Sequence, residues 1–140
     1  MEKNDYVTAF SADSDFSRLR KDVLDWLAKM QISPVQFRMG DEMDATIFSS
    51  CFALYIMDLF GVVDTWGESK RYEWIDYINS FQEEESGLFI PAGYHGELNS
   101  KSVHQLTTFC LSALELLEHA APKYELKFVE HWQKSKNMED

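Results

Sequence analysis

At residues 81–89 the sequence reads Phe81-Gln82-Glu83-Glu84-Glu85-Ser86-Gly87-Leu88-Phe89. The spacing of apolar residues predicts an aromatic-rich helix before this stretch and a nearly all-apolar helix after it. A helix, a glutamine, a glycine turn that closes on an aromatic residue and a buried helix together make one unit of a helical ring. The stretch therefore predicts a repeat protein built from helices.

Apolar spacing along the rest of the chain predicts an all-α fold of about five helices in alternating outer and inner order. The outer helices carry one apolar stripe each, whereas the two inner helices are apolar around almost their whole circumference. Capping boxes are predicted at Thr65 and at Ser102. A shift of 60 positions lays Ala53-Leu54 of one inner helix on Ala113-Leu114 of the other. The five predicted ranges are 14–30, 44–60, 65–82, 102–120 and 124–132.

The length of 140 residues and the 45% share of hydrophobic residues predict one folded domain. We expect a single helical domain over residues 14–133, a flexible arm at residues 1–13 and a solvated tail at residues 134–140. No apolar run reaches the roughly 18 residues of a membrane span, and the first residues lack the order of a secretory signal. These features predict a cytoplasmic protein.

The chain is acidic, with 24 acidic against 13 basic residues and a formal net charge of −11. Such a charge repels phosphate backbones and anionic lipid surfaces, so nucleic acid is excluded as a partner. Cys51 and Cys110 both lie within apolar helical runs, which predicts two buried thiols in a reducing compartment rather than a disulfide.

The stretch 44–133 resembles the repeats of the α/α-toroid family that contains terpenoid cyclases and protein prenyltransferase β subunits. In that family an outer helix ends in a turn with a glutamine, a glycine and an aromatic residue, and Gln82, Gly87 and Phe89 occupy these places here. The resemblance implies that Gln82 braces the turn through its amide, that Gly87 supplies a positive φ and that Phe89 packs over the turn. Since a full toroid needs about twice as many helices, the resemblance implies a partial, open toroid.

The family's catalytic motifs are missing from the sequence. Neither the Asp-any-Asp-Asp string nor the Asp-Asp-any-any-Asp metal string of terpenoid cyclases occurs. The zinc set of the prenyltransferases needs an Asp close to its Cys, and no Asp stands two residues from Cys51 or Cys110. We therefore expect no metal and no cofactor, and the sequence favours a protein that is not an enzyme.

Four polar residues are the candidates for chemistry if the toroid is an enzyme. Asp44 and His104 begin the two inner helices and are candidates for an acid and a base, although helix starts attract such residues for capping alone. His95 and Glu97 lie in a glycine-containing loop of the kind that binds ligands, although glycine also serves plain turns. Phe48, Phe52, Tyr55 and Phe109 are candidates for a hydrophobic pocket, with ordinary core as the alternative.

Two functions agree with these observations. In the first, the chain is a non-catalytic toroid module that completes its core with a second copy, a protein partner or the rest of a longer chain, and Trp26 and Trp132 are candidate contact residues. In the second, it is a toroid enzyme that acts on an isoprenoid or a polysaccharide, with a hydrophobic small molecule bound between the inner helices. The missing catalytic motifs favour the first function.

Overall fold

The computed structural model describes residues 13–118 and 120–127, and within them the protein forms four α-helices and one small β-hairpin. The hairpin is a correction to the all-α prediction. Its antiparallel strands are three and two residues long and are joined by a turn at Pro34. They are too short to contain the alternating apolar residues from which a strand is predicted. The elements are α1 Asp13–Met30, β1 Gln31–Ser33, β2 Gln36–Phe37, α2 Ile47–Leu59, α3 Glu68–Asn79 and α4 Lys101–Leu116.

The helix starts differ from the predicted capping boxes. Thr46 caps α2, since its Oγ1 accepts the Ser49 backbone N–H at 3.1 Å, and Ser100 caps α4 by accepting the Val103 N–H at 3.3 Å. The predicted cap Ser102 lies inside α4, and Thr65 ends a short 3₁₀ turn, Val63–Thr65, ahead of α3. The N-cap of α3 is Gly67, which makes no side-chain hydrogen bond, so both predicted boxes are wrong.

The predicted fifth helix is absent from the residues that the structure describes. Residues 124–127 are not helical, and the remainder of the predicted range, 128–132, lies outside the described residues. Tyr124 and Leu126 are half-buried while Glu125 and Lys127 are exposed, which is the period-two alternation of an extended segment. The described chain therefore contains four helices where five were predicted.

The core lies where α2 and α4 pack side by side, as the sequence predicted for its two most apolar segments. Trp74 and Ile78 of α3 and Leu27 of α1 close this core from outside. The fully buried residues at its centre are Cys51, Ala53, Leu54, Leu106, Cys110, Ala113 and Leu114. Within residues 13–118, no helix has both the length and the apolar character that a membrane crossing requires.

Neither central helix is buried on every side. Apolar residues at positions 48, 52, 55 and 59 form a stripe along α2 that stays half-buried or exposed. The outward side of α4 is polar, because Gln105, Thr108, Ser112 and Glu115 are all exposed. Each of the two central helices therefore keeps one side toward solvent.

Candidate functional site

The Gln82 side chain, only 8% exposed, holds together two parts of the chain that are distant in sequence. Its Nε2 donates to the carbonyl oxygens of Gly87 and Tyr124, at 2.9 Å each. Its Oε1 accepts the backbone N–H of Tyr124 at 2.8 Å. The amide thereby uses both donors and pairs with Tyr124 as a neighbouring β-strand would.

The loop that follows Gln82 is closed by its own backbone. Glu83 N–H donates to the Leu88 carbonyl at 2.8 Å, and Ile90 N–H donates to the Phe81 carbonyl at 2.9 Å. The ring of Phe89 is fully buried in the core, so the turn is anchored at its far end.

Thr107 of α4 also holds this turn, although the sequence reasoning did not single it out. Its hydroxyl accepts the Phe89 N–H at 3.0 Å and donates to the Val103 carbonyl at 2.8 Å. A single threonine among the buried residues of an otherwise apolar helix face was the available signal, since a buried hydroxyl needs partners.

Gly87 is required for two separate reasons. Its φ is +75°, a left-handed conformation that residues with a Cβ adopt only at a cost. A Cβ at this position would also lie 2.1 Å from the backbone oxygen of Glu125, because the chain returns directly over the turn. We call the returning residues 123–127 the strap. The Lys127 N–H donates to the Ser86 carbonyl at 2.9 Å and fixes the end of the strap.

A second candidate site is the aromatic face, which we define as Phe48, Phe52 and Tyr55 of α2 with Phe109 of α4. The Phe109 ring contacts the other three edge-on, with centroid distances of 5.9 Å to Phe48, 5.3 Å to Phe52 and 6.4 Å to Tyr55. The Tyr55 hydroxyl donates to the Phe109 carbonyl. Phe52 nevertheless remains 41% exposed, so the cluster lies at the surface rather than in the core.

The apolar surface continues from the aromatic face toward α1. Leu59, the last residue of the α2 stripe, is 74% exposed. The ring of Phe60 lies 5.8 Å from that of Phe16 on α1, and Phe16 is itself exposed. Exposed large apolar residues that follow one another in this way are typical of an interaction surface.

Cys51 and Cys110 lie buried behind the aromatic face, next to its Tyr55. Cys51 and Cys110 are free, buried thiols, and a hydrogen bond with Cys51 together with burial raises the pKa of Cys110. Burial also raises the pKa of Tyr55, and the neighbouring Cys51 and Cys110 add to the effect. Both shifts favour the uncharged forms of Cys110 and Tyr55.

None of the four polar candidates is fully buried. Asp44 is exposed in the loop before α2, so the expectation that it begins the helix is wrong. His95 and Glu97 are exposed in the loop before α4, where the Tyr94 hydroxyl donates to the Glu97 carbonyl at 2.8 Å. His104 lies in the first turn of α4 and is half-buried. Three of the four side chains are therefore surrounded by solvent rather than enclosed.

Of the candidate contact residues, Trp26 is 39% exposed on α1, while Trp132 lies outside the described residues. His, Cys, Asp and Glu side chains in the described ranges nowhere form a group of three or more that could hold a metal ion.

The chain matches the model of a known protein family. The model of the prenyltransferase alpha-alpha toroid domain matches residues 7–110, which is 104 of the 140 residues of the chain. This match confirms the resemblance inferred from the turn at Gln82. A search of curated proteins and a search of solved structures found nothing that matches.

Proposed function

The chain belongs to the prenyltransferase alpha-alpha toroid family, and on that premise we propose that it is a non-catalytic partial toroid module that completes its core by self-association. The observation that carries this proposal is the exposure of the aromatic face. Large aromatic side chains each bury 150–250 Å² when they are covered, so leaving several of them half in water is costly. Pairing covers them.

The side of the molecule used for pairing follows from the two central helices. The outward side of α4 is polar, as is usual for the solvent-facing side of the last helix in a stack of helices. The α2 stripe has no such polar cover, because Phe52 and Leu59 stand exposed on it. The unfinished side of this module is therefore the aromatic face and its continuation at Leu59.

A second copy of the chain is the occupant that the charge distribution supports. The net charge of −11 makes two copies repel each other over most of their surfaces. Along α2 the only charged residue is Asp58, and the aromatic face has none. Two copies related by a two-fold axis would bring aromatic residues against aromatic residues in the edge-to-face contacts that such rings prefer.

The absence of the family's catalytic strings from the sequence supports a non-catalytic role. An enzyme of this family type would need its acid and base in an enclosed cavity where water is excluded. Asp44, His95 and Glu97 are exposed instead. The aromatic face then serves assembly rather than a substrate.

The test is the molar mass in solution of the wild type and of a matched pair of variants, measured by sedimentation equilibrium. The variant Phe52→Asp places a charge in the aromatic face, whereas Tyr72→Asp places one at a similarly exposed aromatic residue on α3. We expect twice the chain mass of 16.3 kDa for the wild type and for Tyr72→Asp, and the chain mass alone for Phe52→Asp. Circular dichroism checks that both variants are folded.

Two results would overturn the proposal. One is a wild type that stays monomeric at protein concentrations well above a Kd of about 1 µM, which corresponds to about 8 kcal/mol. The other is a Phe52→Asp variant that associates as strongly as the Tyr72→Asp control. In the first case the face is covered by a different protein or by the rest of a longer chain.

A further inference from the structure

The first half of α1 has little cover from the rest of the molecule. Every residue from 14 to 22 is exposed, and the first buried residue of the helix is Leu27. This half is tied to the rest of the protein at Phe60. The Phe16 ring lies 5.8 Å from the Phe60 ring, and the Arg20 Nε donates to the Phe60 carbonyl at 3.0 Å. About two and a half turns of helix therefore stand in solvent.

An apolar stripe begins in this exposed half of α1. Phe16, Leu19, Val23 and Trp26 follow one another at intervals of three and four residues, so they lie on one side of the helix, and we call them the α1 stripe. Phe16 is 48% exposed, Leu19 41% and Trp26 39%. An amphipathic helix normally packs its apolar side against a neighbour. The described part of the chain leaves much of this side in water, so it is available to another molecule.

The α1 stripe matches the α2 stripe in length and in character. At a rise of about 1.5 Å per residue, Phe16 to Trp26 covers about 15 Å of helix and Phe48 to Leu59 covers about 16 Å. Both stripes combine aromatic and aliphatic side chains. Packing one stripe on the other would cover both of them at once and would allow edge-to-face contacts between their rings.

The aromatic face is too small to hold two copies together by itself. From the exposed fractions of its residues and of Leu59, it has at most roughly 450 Å² left to bury, at about 200 Å² for a large side chain. A specific interface buries about 800 Å² on each partner. The exposed parts of Phe16, Leu19 and Trp26 add roughly 250 Å² on the same scale, which brings the total close to that requirement.

The charge distribution favours α1 as the helix that meets a second copy. It contains four acidic and four basic residues, so the whole net charge of −11 is carried by the rest of the chain. Three of its basic residues, Arg18, Arg20 and Lys21, are exposed in the first half of the helix. An acidic second copy is therefore repelled less by α1 than by the remainder of the surface.

From these features we infer that each α1 packs its stripe along the α2 stripe of the other copy, an inference that rests on the proposed self-association. Each copy offers one α1 stripe and one α2 stripe, so a two-fold axis forms the same contact twice. The α1 of the second copy then takes the place of the neighbouring helix that α2 lacks on the side of the aromatic face.

Sedimentation equilibrium on a matched pair of α1 variants tests this arrangement. Leu19→Asp places a carboxylate in the α1 stripe, whereas Ser17→Asp adds the same charge at an exposed position about 160° around the helix. Because a charge buried in an apolar contact loses its water, Leu19→Asp should weaken the dimer by about tenfold or more in Kd. Ser17→Asp should leave the Kd unchanged, since a single exposed charge contributes little. Circular dichroism checks that both variants keep their helices.

A spin label locates α1 on the second copy. A nitroxide is attached to unlabelled Leu19→Cys protein, which is mixed with ¹⁵N-labelled wild type, so that any loss of amide signal in the ¹⁵N-labelled chain arises between copies. The native thiols are buried and should not take up the nitroxide. We expect the largest losses along α2, Ile47–Leu59, and smaller losses there from a nitroxide on Tyr72→Cys.

The outcomes separate this inference from the proposed function. If the wild type is a dimer that Phe52→Asp dissociates and Leu19→Asp does not, the role of α1 is refuted and self-association through the aromatic face stands. Equal losses along α2 from the two nitroxide positions would refute the role of α1 in the same way. A monomeric wild type would refute both the inference and the proposed function.

Discussion

Replacing Gly87 with alanine is expected to destabilise the protein more than the same replacement at any other left-handed glycine that the structure describes. Gly61, Gly87 and Gly93 all have φ between +72° and +78°. At Gly61 and Gly93 an added Cβ meets nothing within 4 Å. At Gly87 it would meet the Glu125 oxygen at 2.1 Å, which real Cβ atoms essentially never approach.

The expected magnitude has two parts. A left-handed conformation costs a residue with a Cβ about 1–2 kcal/mol, and this part is common to all three glycines. At Gly87 the strap must also move away, which breaks the two hydrogen bonds between Gln82 and Tyr124 and the one from Lys127 to Ser86. Each bond contributes about 0.5–1.5 kcal/mol net, and part of that is returned as backbone freedom of the released strap. We expect an additional cost of about 2 kcal/mol at Gly87 relative to Gly93.

Urea unfolding of Gly87→Ala, Gly93→Ala and the wild type measures this difference. For a chain of this size the additional cost corresponds to a fall in Tm of about 8 °C. Hydrogen exchange localises the effect, because the Tyr124 and Lys127 amides should lose protection in Gly87→Ala and keep it in Gly93→Ala. Equal unfolding free energies for the two variants, with both amides still protected, would show that the strap does not lie over Gly87.

Three further outcomes follow from the described contacts. Gln82→Leu should lower the free energy of unfolding, measured in urea, by about 2–3 kcal/mol, because it removes three hydrogen bonds and leaves backbone groups of the turn and the strap unpaired. A decrease below about 0.5 kcal/mol, which is typical of a substitution at the surface, would contradict this. Burial raises the pKa of Tyr55 in the folded state, so the contribution of Tyr55 to the free energy of unfolding should be constant below about pH 10 and fall as the pH rises further. Tyr55→Phe should reduce that fall and Tyr72→Phe, at an exposed tyrosine, should not. Ellman's reagent should label Cys51 and Cys110 only after denaturant is added, and rapid labelling of the native protein would show that the thiols are accessible.

Local signals in the sequence were sufficient for the four helices that the structure describes and for the turn. The apolar stripe of the first helix predicted residues 14–30, and α1 is Asp13–Met30. The pairing of the two most apolar segments was also predictable, because a helix without a polar face must be covered by neighbours. These features depend on residues close together in the chain, which is where sequence patterns carry information.

The strap was missed because its partner is distant. Tyr124 to Lys127 alternate between half-buried and exposed positions, but the pattern is short and its partner, Gln82, stands 42 residues away. The same residues are also compatible with an amphipathic helix. The extended strap is favoured only because Gly87, which has no Cβ, lets the backbone at Glu125 approach the turn closely. Only the three-dimensional approach of the two segments distinguishes these alternatives.

The exposure of the aromatic face was not predictable for a different reason. Phe48, Phe52 and Tyr55 occupy one side of α2, and the buried Leu54 and Met57 occupy another, yet all are apolar. The hydrophobicity of these residues predicts that both sides of α2 are covered, but it does not predict which side is covered by other parts of the same chain. That choice depends on how many helices are available to surround α2.

The distance between Gln82 and Tyr124 along the chain affects how the protein is made. During translation the glutamine and its glycine turn emerge first, and the backbone groups that pair with the amide are added 42 residues later. The family match ends at residue 110. A polypeptide truncated there would contain all residues of the turn but would lack the strap, whose backbone groups form hydrogen bonds with the Gln82 amide. A nascent chain on the ribosome therefore carries this amide without its partners on the strap until Tyr124 has been added, and the strap closes over the turn only then.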